Sequence, residues 1–170
     1  MVFFFTLAEN LLNLKYTSII DTLDIDITSL SKIDDAQIIR LQKQLKAYAV
    51  LNNESNIGEL SQLVDGLKEE NTRKGHIFIE QNLWLKQLLL SQYESIEIDS
   101  FKLNPSIDEN DEALKTFIAP FLQEEIKPTL NFLFREERFN TLRKLLQQKA
   151  LFTEEIKQQI ITFFLSLIHI

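Results

Sequence analysis

Helix-breaking residues are scarce in this chain of 170 residues, which has three glycines and three prolines. They are Gly58, Gly66, Gly75, Pro105, Pro120 and Pro128. Both residue types fall well below their average usage, and tight turns depend on them. We therefore predict an all-α protein of six or seven helices with two short extended segments. The helices are expected to form either a repeat-like α-solenoid or an irregular bundle.

A weak internal repeat runs through the chain at an offset of 77 residues. Nine of the first 45 positions recur at this offset, whereas ordinary composition gives about three by chance. Tyr16 and Asp34, for example, recur as Tyr93 and Asp111. Duplicated helical units bury their apolar faces against one another, and such arrays commonly form extended binding surfaces. The repeat therefore favours a scaffold with helices in the order A, B, C, A, B, C, A.

Apolar side chains recur every three or four residues along most of the chain, which predicts one-sided helices. We expect Asp34 and Thr153 to cap helix starts, because their side-chain oxygens accept backbone N–H groups. Gly75 is placed between two helices, and Pro128 in the first turn of another. The predicted helices cover approximately residues 2–20, 34–51, 56–71, 77–93, 111–127, 128–149 and 153–170.

Two short segments alternate between apolar and polar residues, the pattern of extended backbone. They lie at 23–27 and 95–99. A polar stretch at 104–112 contains Pro105 and makes the best boundary in the chain. We predict a first helical unit plus the start of a second over 1–103 and the remainder of the second over 104–170, or one continuous domain over 1–170.

Composition excludes several classes of chemistry and partner. The chain has no cysteine, so disulfides and thiolate metal sites are excluded, and a cytoplasmic location is expected. The apolar end at 160–170 is too short for a membrane span, which needs about 20 residues. A net charge of −7 disfavours nucleic acid as a partner. The charge is uneven, with acids concentrated at 94–112 and cations at 135–149.

Catalytic and metal-binding patterns are weak. His76 and Glu80 lie four residues apart, the spacing of a ligand or acid–base pair on one helix face. Asp24, Asp26 and Asp35 partly match a calcium loop, but Ser29 stands where that loop needs glycine. Three scattered glycines cannot build a phosphate-binding loop. We predict no catalytic, cofactor-binding or metal residues, no cofactor and no small-molecule ligand, with a small helical enzyme bearing an acidic site as an alternative.

A helix-turn-helix regulator that binds nucleic acid is the second alternative. The stretch 57–77 reads as two helices separated by a turn, and a recognition helix needs cations and amides that reach base edges. Four side chains qualify, namely Arg73, Lys74, Gln81 and Asn82. The acidic balance of the chain opposes this alternative.

Both ends of the sequence are strongly apolar, and phenylalanine is unusually frequent, with 13 copies. Aromatic side chains fill cores and also anchor interfaces. We interpret the terminal clusters as partner-binding surfaces, because soluble proteins seldom expose large apolar patches. The alternative is that both terminal helices pack centrally in one bundle, since buried helices are commonly apolar all round. The sequence thus predicts a noncatalytic scaffold or adaptor that binds a protein partner or associates with itself. The candidate residues are Phe3, Phe4, Phe5, Phe163, Phe164 and Leu165.

Overall fold

The computed structural model describes residues 15–52, 57–97 and 111–168. Within these ranges the chain is all-α, as predicted: it forms nine α-helices, two 3₁₀ turns and no strand. The 3₁₀ turns span Tyr93–Ser95 and Lys149–Leu151. The helices are α1 (Ile19–Leu23), α2 (Ile27–Ser31), α3 (Asp35–Asn52), α4 (Ile57–Gly66), α5 (Glu70–Gln81), α6 (Leu83–Leu89), α7 (Glu112–Arg135), α8 (Phe139–Leu146) and α9 (Glu154–Ile168).

Polar side chains cap the helices whose starts were predicted most sharply. The Asp34 carboxylate accepts the Gln37 N–H at 2.7 Å, and the Gln37 side chain accepts the Asp34 N–H at 2.9 Å. This reciprocal pair satisfies two donors at the start of α3. Asp111 accepts the Leu114 N–H at 3.0 Å at the start of α7. The Thr153 hydroxyl lies 3.5 Å from the Ile156 nitrogen at the start of α9.

The structure does not show the extended segment predicted at 23–27. Leu23 ends α1, Asp24 adopts a left-handed conformation with φ of 50°, and Ile27 begins α2. The Asp26 carboxylate accepts the N–H groups of Thr28 at 2.7 Å and Ser29 at 3.0 Å. These local bonds start a helix, so they override the alternating pattern. In the second segment Ser95 ends a 3₁₀ turn, and residues 98 and 99 lie outside the described ranges.

Two predicted helices, 56–71 and 77–93, form three helices in the structure, and α1 and α2 further raise the number of helices above six or seven. The helix predicted to end near residue 71 stops at Gly66, and α5 then runs through Gly75. Gly75 is buried inside α5, and burial of its neighbours offsets the roughly 1 kcal/mol that glycine costs a helix. Asn82 has nonhelical angles of −111° and 85°, so it divides the helix predicted over 77–93.

The prolines of α7 do not end it. A junction was predicted near Pro128, yet α7 continues through both Pro120 and Pro128. Each proline inside a helix costs about 3 kcal/mol. Packing offsets this cost, because α7 buries nine of its residues and contacts α6, α8 and α9. The helix predicted over 128–149 is instead divided after Arg135, where α7 ends before α8 begins at Phe139.

The chain divides into two compact units. The middle unit, Thr17–Glu80, has a core formed by Ile19, Leu30, Ile38, Val64 and Leu67. The terminal unit comprises Met1–Tyr16 and Gln81–Ile170. Its described part is organised around α7, against which α6, α8 and α9 pack.

Two predictions about chain organisation fall on residues that the structure does not describe. The boundary at 104–112 lies almost wholly outside the described ranges, so the division at 103 and 104 stays a prediction. Most of the helix predicted over 2–20 lies outside them as well.

The central position of α7 gives a stability prediction. The Leu122 side chain is fully buried in α7, whereas Leu83 at the start of α6 is 56% exposed. We expect Leu122→Ala to lower the free energy of unfolding by about 2–5 kcal/mol, because it leaves a cavity. The matched control Leu83→Ala should change it by less than about 0.5 kcal/mol. Urea unfolding followed by circular dichroism measures both, and equal losses would contradict the central role of α7.

Candidate protein-interaction surface

Exposed apolar side chains are concentrated on the last three helices. Among the described residues, seven large hydrophobic side chains are exposed, and five of them lie on α7, α8 and α9. The other two, Ile39 and Leu83, lie on α3 and α6. Single exposed hydrophobics are normal on soluble proteins, but clusters mark interaction sites. We call the five the apolar surface: Phe134 (38% exposed), Phe139 (53%), Ile161 (50%), Leu165 (51%) and Ile168 (75%).

The α9 helix has two apolar faces. One face contains Ile156, Ile160 and Phe163, which are buried as α9 packs on α7. The second contains Ile161, Leu165 and Ile168, whose spacing of four and three residues aligns them along the helix. From residue 158 to 168 the sequence has no charged side chain. The second face is therefore an uncharged apolar stripe that stays exposed among the described residues.

Aromatic contacts join the end of α7 to α8 and to the buried face of α9. The Phe134 ring lies 5.9 Å from that of Phe139 and 6.3 Å from that of Phe163, both in edge-to-face geometry. Phe163 in turn lies 5.2 Å from Phe164, which is half-buried beside the second face of α9. Edge-to-face contacts fix the relative positions of the rings. The apolar surface therefore has two parts: Phe134 and Phe139, which are in contact, and the second face of α9, which points away from Phe163.

Arg138 holds the start of α8, and with it Phe139, in place. Its guanidinium donates to the carbonyl oxygens of Tyr93 at 3.0 Å and Glu94 at 3.3 Å, and also to that of Ile96. The preceding residue, Glu137, is in the left-handed region with φ of 54°. Because a guanidinium is planar with five donors, it fixes several acceptors at once. The turn between α7 and α8 is thus attached to the 3₁₀ turn at Tyr93–Ser95.

A buried carboxylate supports the same 3₁₀ turn. Glu125 of α7 is buried and accepts hydrogen bonds from the Ser91 hydroxyl at 3.0 Å and from the Tyr93 hydroxyl. Desolvation and the bond to Glu125 raise the pKa of Tyr93 to about 12. Since both oxygens of Glu125 accept from neighbouring side chains, the geometry assigns this acid a role in holding the turn.

The histidine and acid singled out from the sequence lie in the middle unit. His76 is 3% exposed on α5, and burial lowers the pKa of its side chain to about 4. Glu80 accepts a hydrogen bond from the Ser18 hydroxyl at 2.5 Å. Among the described residues, no three histidine, aspartate or glutamate side chains come together to hold a metal ion. Asp26, considered as a calcium ligand, caps α2.

Three of the four side chains considered for nucleic-acid recognition are buried or engaged within the chain. Arg73 donates to the carbonyl oxygens of Leu67 at 2.7 Å and Lys68 at 3.0 Å, beyond the end of α4. Lys74 forms an ion pair with Glu70 at 2.6 Å. Asn82 is buried, and Gln81 is exposed. Arg73 is thus engaged by carbonyl groups and Lys74 is partly neutralised by Glu70. A recognition helix needs its cations directed at bases and phosphates.

An open groove of about 860 Å³ lies in the middle unit. Its lining includes Leu23 and Leu41 together with Asp21, Asp24 and Arg40. Small-molecule sites bury most of their ligand against a few convergent polar groups, whereas this groove is open to solvent with charges of both signs. The apolar surface is therefore the stronger candidate site.

The candidate residues from the sequence have different positions in the structure. Phe3, Phe4 and Phe5 lie outside the described residues. Phe163 is buried, Phe164 is half-buried, and Leu165 is exposed. Sequence analysis missed three residues of the apolar surface, Phe134, Phe139 and Ile161, whereas Ile168 belongs to the apolar cluster at the end of the sequence. The spacing of Ile161, Leu165 and Ile168 was a signal that could have found the second face of α9.

Arg138 provides the next prediction. We expect Arg138→Gln to lower the free energy of unfolding by about 1–3 kcal/mol, because partly buried carbonyl groups lose a charged donor. Arg143→Gln is the matched control, since Arg143 is exposed on α8 and should change stability little. Urea unfolding measures both variants. Equal stabilities for the two would show that the Arg138 contacts do not hold the turn.

His76 makes stability depend on pH. Its pKa rises from about 4 in the folded chain to 6.5 when unfolded, so the unfolded state binds the extra proton as pH falls below 6.5. We expect the free energy of unfolding to fall by about 1 kcal/mol between about pH 7.5 and pH 5.5. His76→Gln should remove this slope, because it cannot titrate there. Chemical unfolding at each pH checks it, and an unchanged slope in the variant would contradict it.

Comparisons with known proteins do not assign the chain to a family. A scan against protein-family models, a search of curated proteins and a search of solved structures each find no match to the chain. Within the described residues, no helix is long and apolar enough to cross a membrane. The functional argument therefore depends on the geometry of the apolar surface.

Proposed function

We propose that the protein is a noncatalytic α-helical scaffold or adaptor that binds a protein partner, or a second copy of itself, through the apolar surface. The observation that carries this proposal is the concentration of five of the seven exposed large hydrophobic side chains on α7, α8 and α9. A cytoplasmic location belongs to the same proposal and fits a chain without cysteine.

The energy available from the apolar surface indicates what kind of contact it supports. Completing the burial of a half-exposed Leu, Ile or Phe contributes about 1 kcal/mol, so the five side chains together contribute on the order of 5 kcal/mol. Association itself costs at least about 4 kcal/mol of lost rotational and translational freedom. The apolar surface can therefore anchor a partner, but contacts around it must supply further affinity and specificity.

We further propose that duplicated helical units form the scaffold, as a solenoid or an irregular bundle. Helices α3 and α7 begin 77 residues apart, at Asp35 and Glu112, and an aspartate caps each of them. Leu45 of α3 and Leu122 of α7, separated by the same offset, are both buried. Equivalent caps and equivalent core positions are what a duplication leaves behind.

Photo-crosslinking tests the apolar surface. We replace Ile161 or Leu165 with p-benzoylphenylalanine and irradiate cells that produce the protein. We expect discrete adducts at both positions, because a partner that covers the surface contacts them. Ile39 and Leu83 are matched controls, since their exposures of 50% and 56% are similar to the 50% and 51% of Ile161 and Leu165.

The adduct pattern decides the outcome. Adducts at positions 161 and 165 that are absent at 39 and 83 support the proposal, and an adduct of twice the chain's mass identifies a second copy as the partner. Equal crosslinking at all four positions, or none at any of them, contradicts it. Leu165→Glu should also abolish the adduct at position 161, because it places a charge in the contact.

A further inference from the structure

The open groove of the middle unit has an apolar floor. Its lining comes from residues 21–33, which include α2, and from α3. Four half-buried aliphatic side chains of the lining pack against the core of the unit. They are Leu23, Ile25, Ile33 and Leu41, and the buried Leu45 lies beside them in the lining. The core therefore holds the floor in place before any ligand binds.

Polar side chains of α3 form a row along this floor. Gln37, Arg40 and Gln44 line the groove at spacings of three and four residues, and all three are exposed. Arg40 and Gln44 offer N–H donors. An extended polypeptide has backbone carbonyl groups that need donors, whereas a helix satisfies its own. The row therefore suits an extended segment of chain.

The length of the lining sets the size of the contact. From Gln37 to Leu45, the first and last residues of α3 in the lining, the helix rises about 12 Å. That distance corresponds to about four residues of extended chain. The groove therefore matches a short linear segment rather than a folded domain.

Acidic side chains outnumber cations in the groove. Asp21, Asp24 and Asp26 line it, with Arg40 as the one cation of the lining. Asp26 also caps α2. Within the described ranges, neither Asp24 nor Arg40 forms an ion pair or a hydrogen bond through its side chain. Asp24 is therefore available to a cation of the ligand, and Arg40 to a carbonyl oxygen.

The charge of the whole middle unit has the same sign as that of the groove. Residues 17–80 include 11 acidic and seven basic side chains, and the chain carries a net charge of −7. A negative field attracts cationic partners and repels the phosphates of nucleic acid and of anionic membranes. Local and long-range charge thus favour the same class of ligand.

We propose that this groove binds a short extended segment of another protein that combines apolar side chains with at least one lysine or arginine. The apolar side chains cover the floor, the cation lies near Asp24, and Arg40 and Gln44 donate to backbone carbonyl groups. The inference goes beyond the proposed function, because the groove and the apolar surface belong to different units. A chain with both sites joins two partners, as an adaptor does.

Three labelled peptides of about eight residues, twice the length of the contact, test the inference. They share their leucines and differ at the remaining positions, which are Lys, Gln or Glu. We expect the Lys peptide to bind the whole chain about tenfold more tightly than the Gln peptide, and the Glu peptide to bind most weakly. Fluorescence anisotropy measures the binding. The differences should shrink at about 0.5 M salt because the charges are screened.

A cation placed in the groove locates the effect. Gln44→Lys should weaken binding of the Lys peptide about tenfold and strengthen binding of the Glu peptide, because the added charge repels the first and attracts the second. Gln62→Lys is the matched control, since Gln62 is exposed on α4 outside the lining and adds the same charge to the same unit. Asp24→Asn should reduce the preference for the Lys peptide, and Asn tolerates the left-handed conformation at this position. Circular dichroism verifies that each variant is folded.

The results separate this inference from the proposed function. A preference for the Lys peptide that Gln44→Lys reverses and Gln62→Lys leaves unchanged supports the groove. Equal binding of the three peptides, binding of none, or equal effects of the two variants overturns it. Binding that Leu165→Glu abolishes also overturns it, because the peptide then lies on the apolar surface. A dimer seen by sedimentation velocity that Gln44→Lys dissociates overturns it in favour of a second copy in the groove.

Discussion

The packing of α7 against α6, α8 and α9 supports the rest of the terminal unit. This helix contains two prolines, which alone would disfavour a continuous helix. Its apolar residues are covered by three neighbouring helices, so tertiary contacts rather than local preference maintain it. Glu125 and Phe134 project from the same helix, and they hold the 3₁₀ turn and the apolar surface respectively. The apolar surface and the packing of the terminal unit therefore both depend on α7.

Rigid attachment of its parts distinguishes the apolar surface from a set of scattered hydrophobic residues. Arg138 joins the start of α8 to three carbonyl groups, and the Phe134 ring contacts aromatic rings on α8 and α9. A surface whose side chains are already ordered loses less conformational freedom when a partner binds. This preorganisation is consistent with the proposed role in recognition.

Local chemistry made part of the fold predictable from the sequence. The all-α class follows from the few glycines and prolines, and the starts of α3 and α9 follow from Asp34 and Thr153. The continuous path of α7 through Pro128 and the helical position of Gly75 depend on contacts between distant residues, which a single sequence does not show. Similarly, Leu165 was identified as a surface residue, but Phe163 is buried because one of the two apolar faces of α9 packs on α7. Choosing between those faces requires the tertiary structure.

The two prolines have a consequence for how the protein is made. Helix α7 precedes α8 and α9 in the chain, so a ribosome releases α7 before two of the helices that cover it. Each proline removes one backbone hydrogen bond, so the nascent α7 is not a stable helix by itself. Its leucines and phenylalanines are therefore accessible to chaperones until α9 has been synthesised. Synonymous codons that slow translation between α7 and α9 should therefore prolong chaperone engagement and favour aggregation.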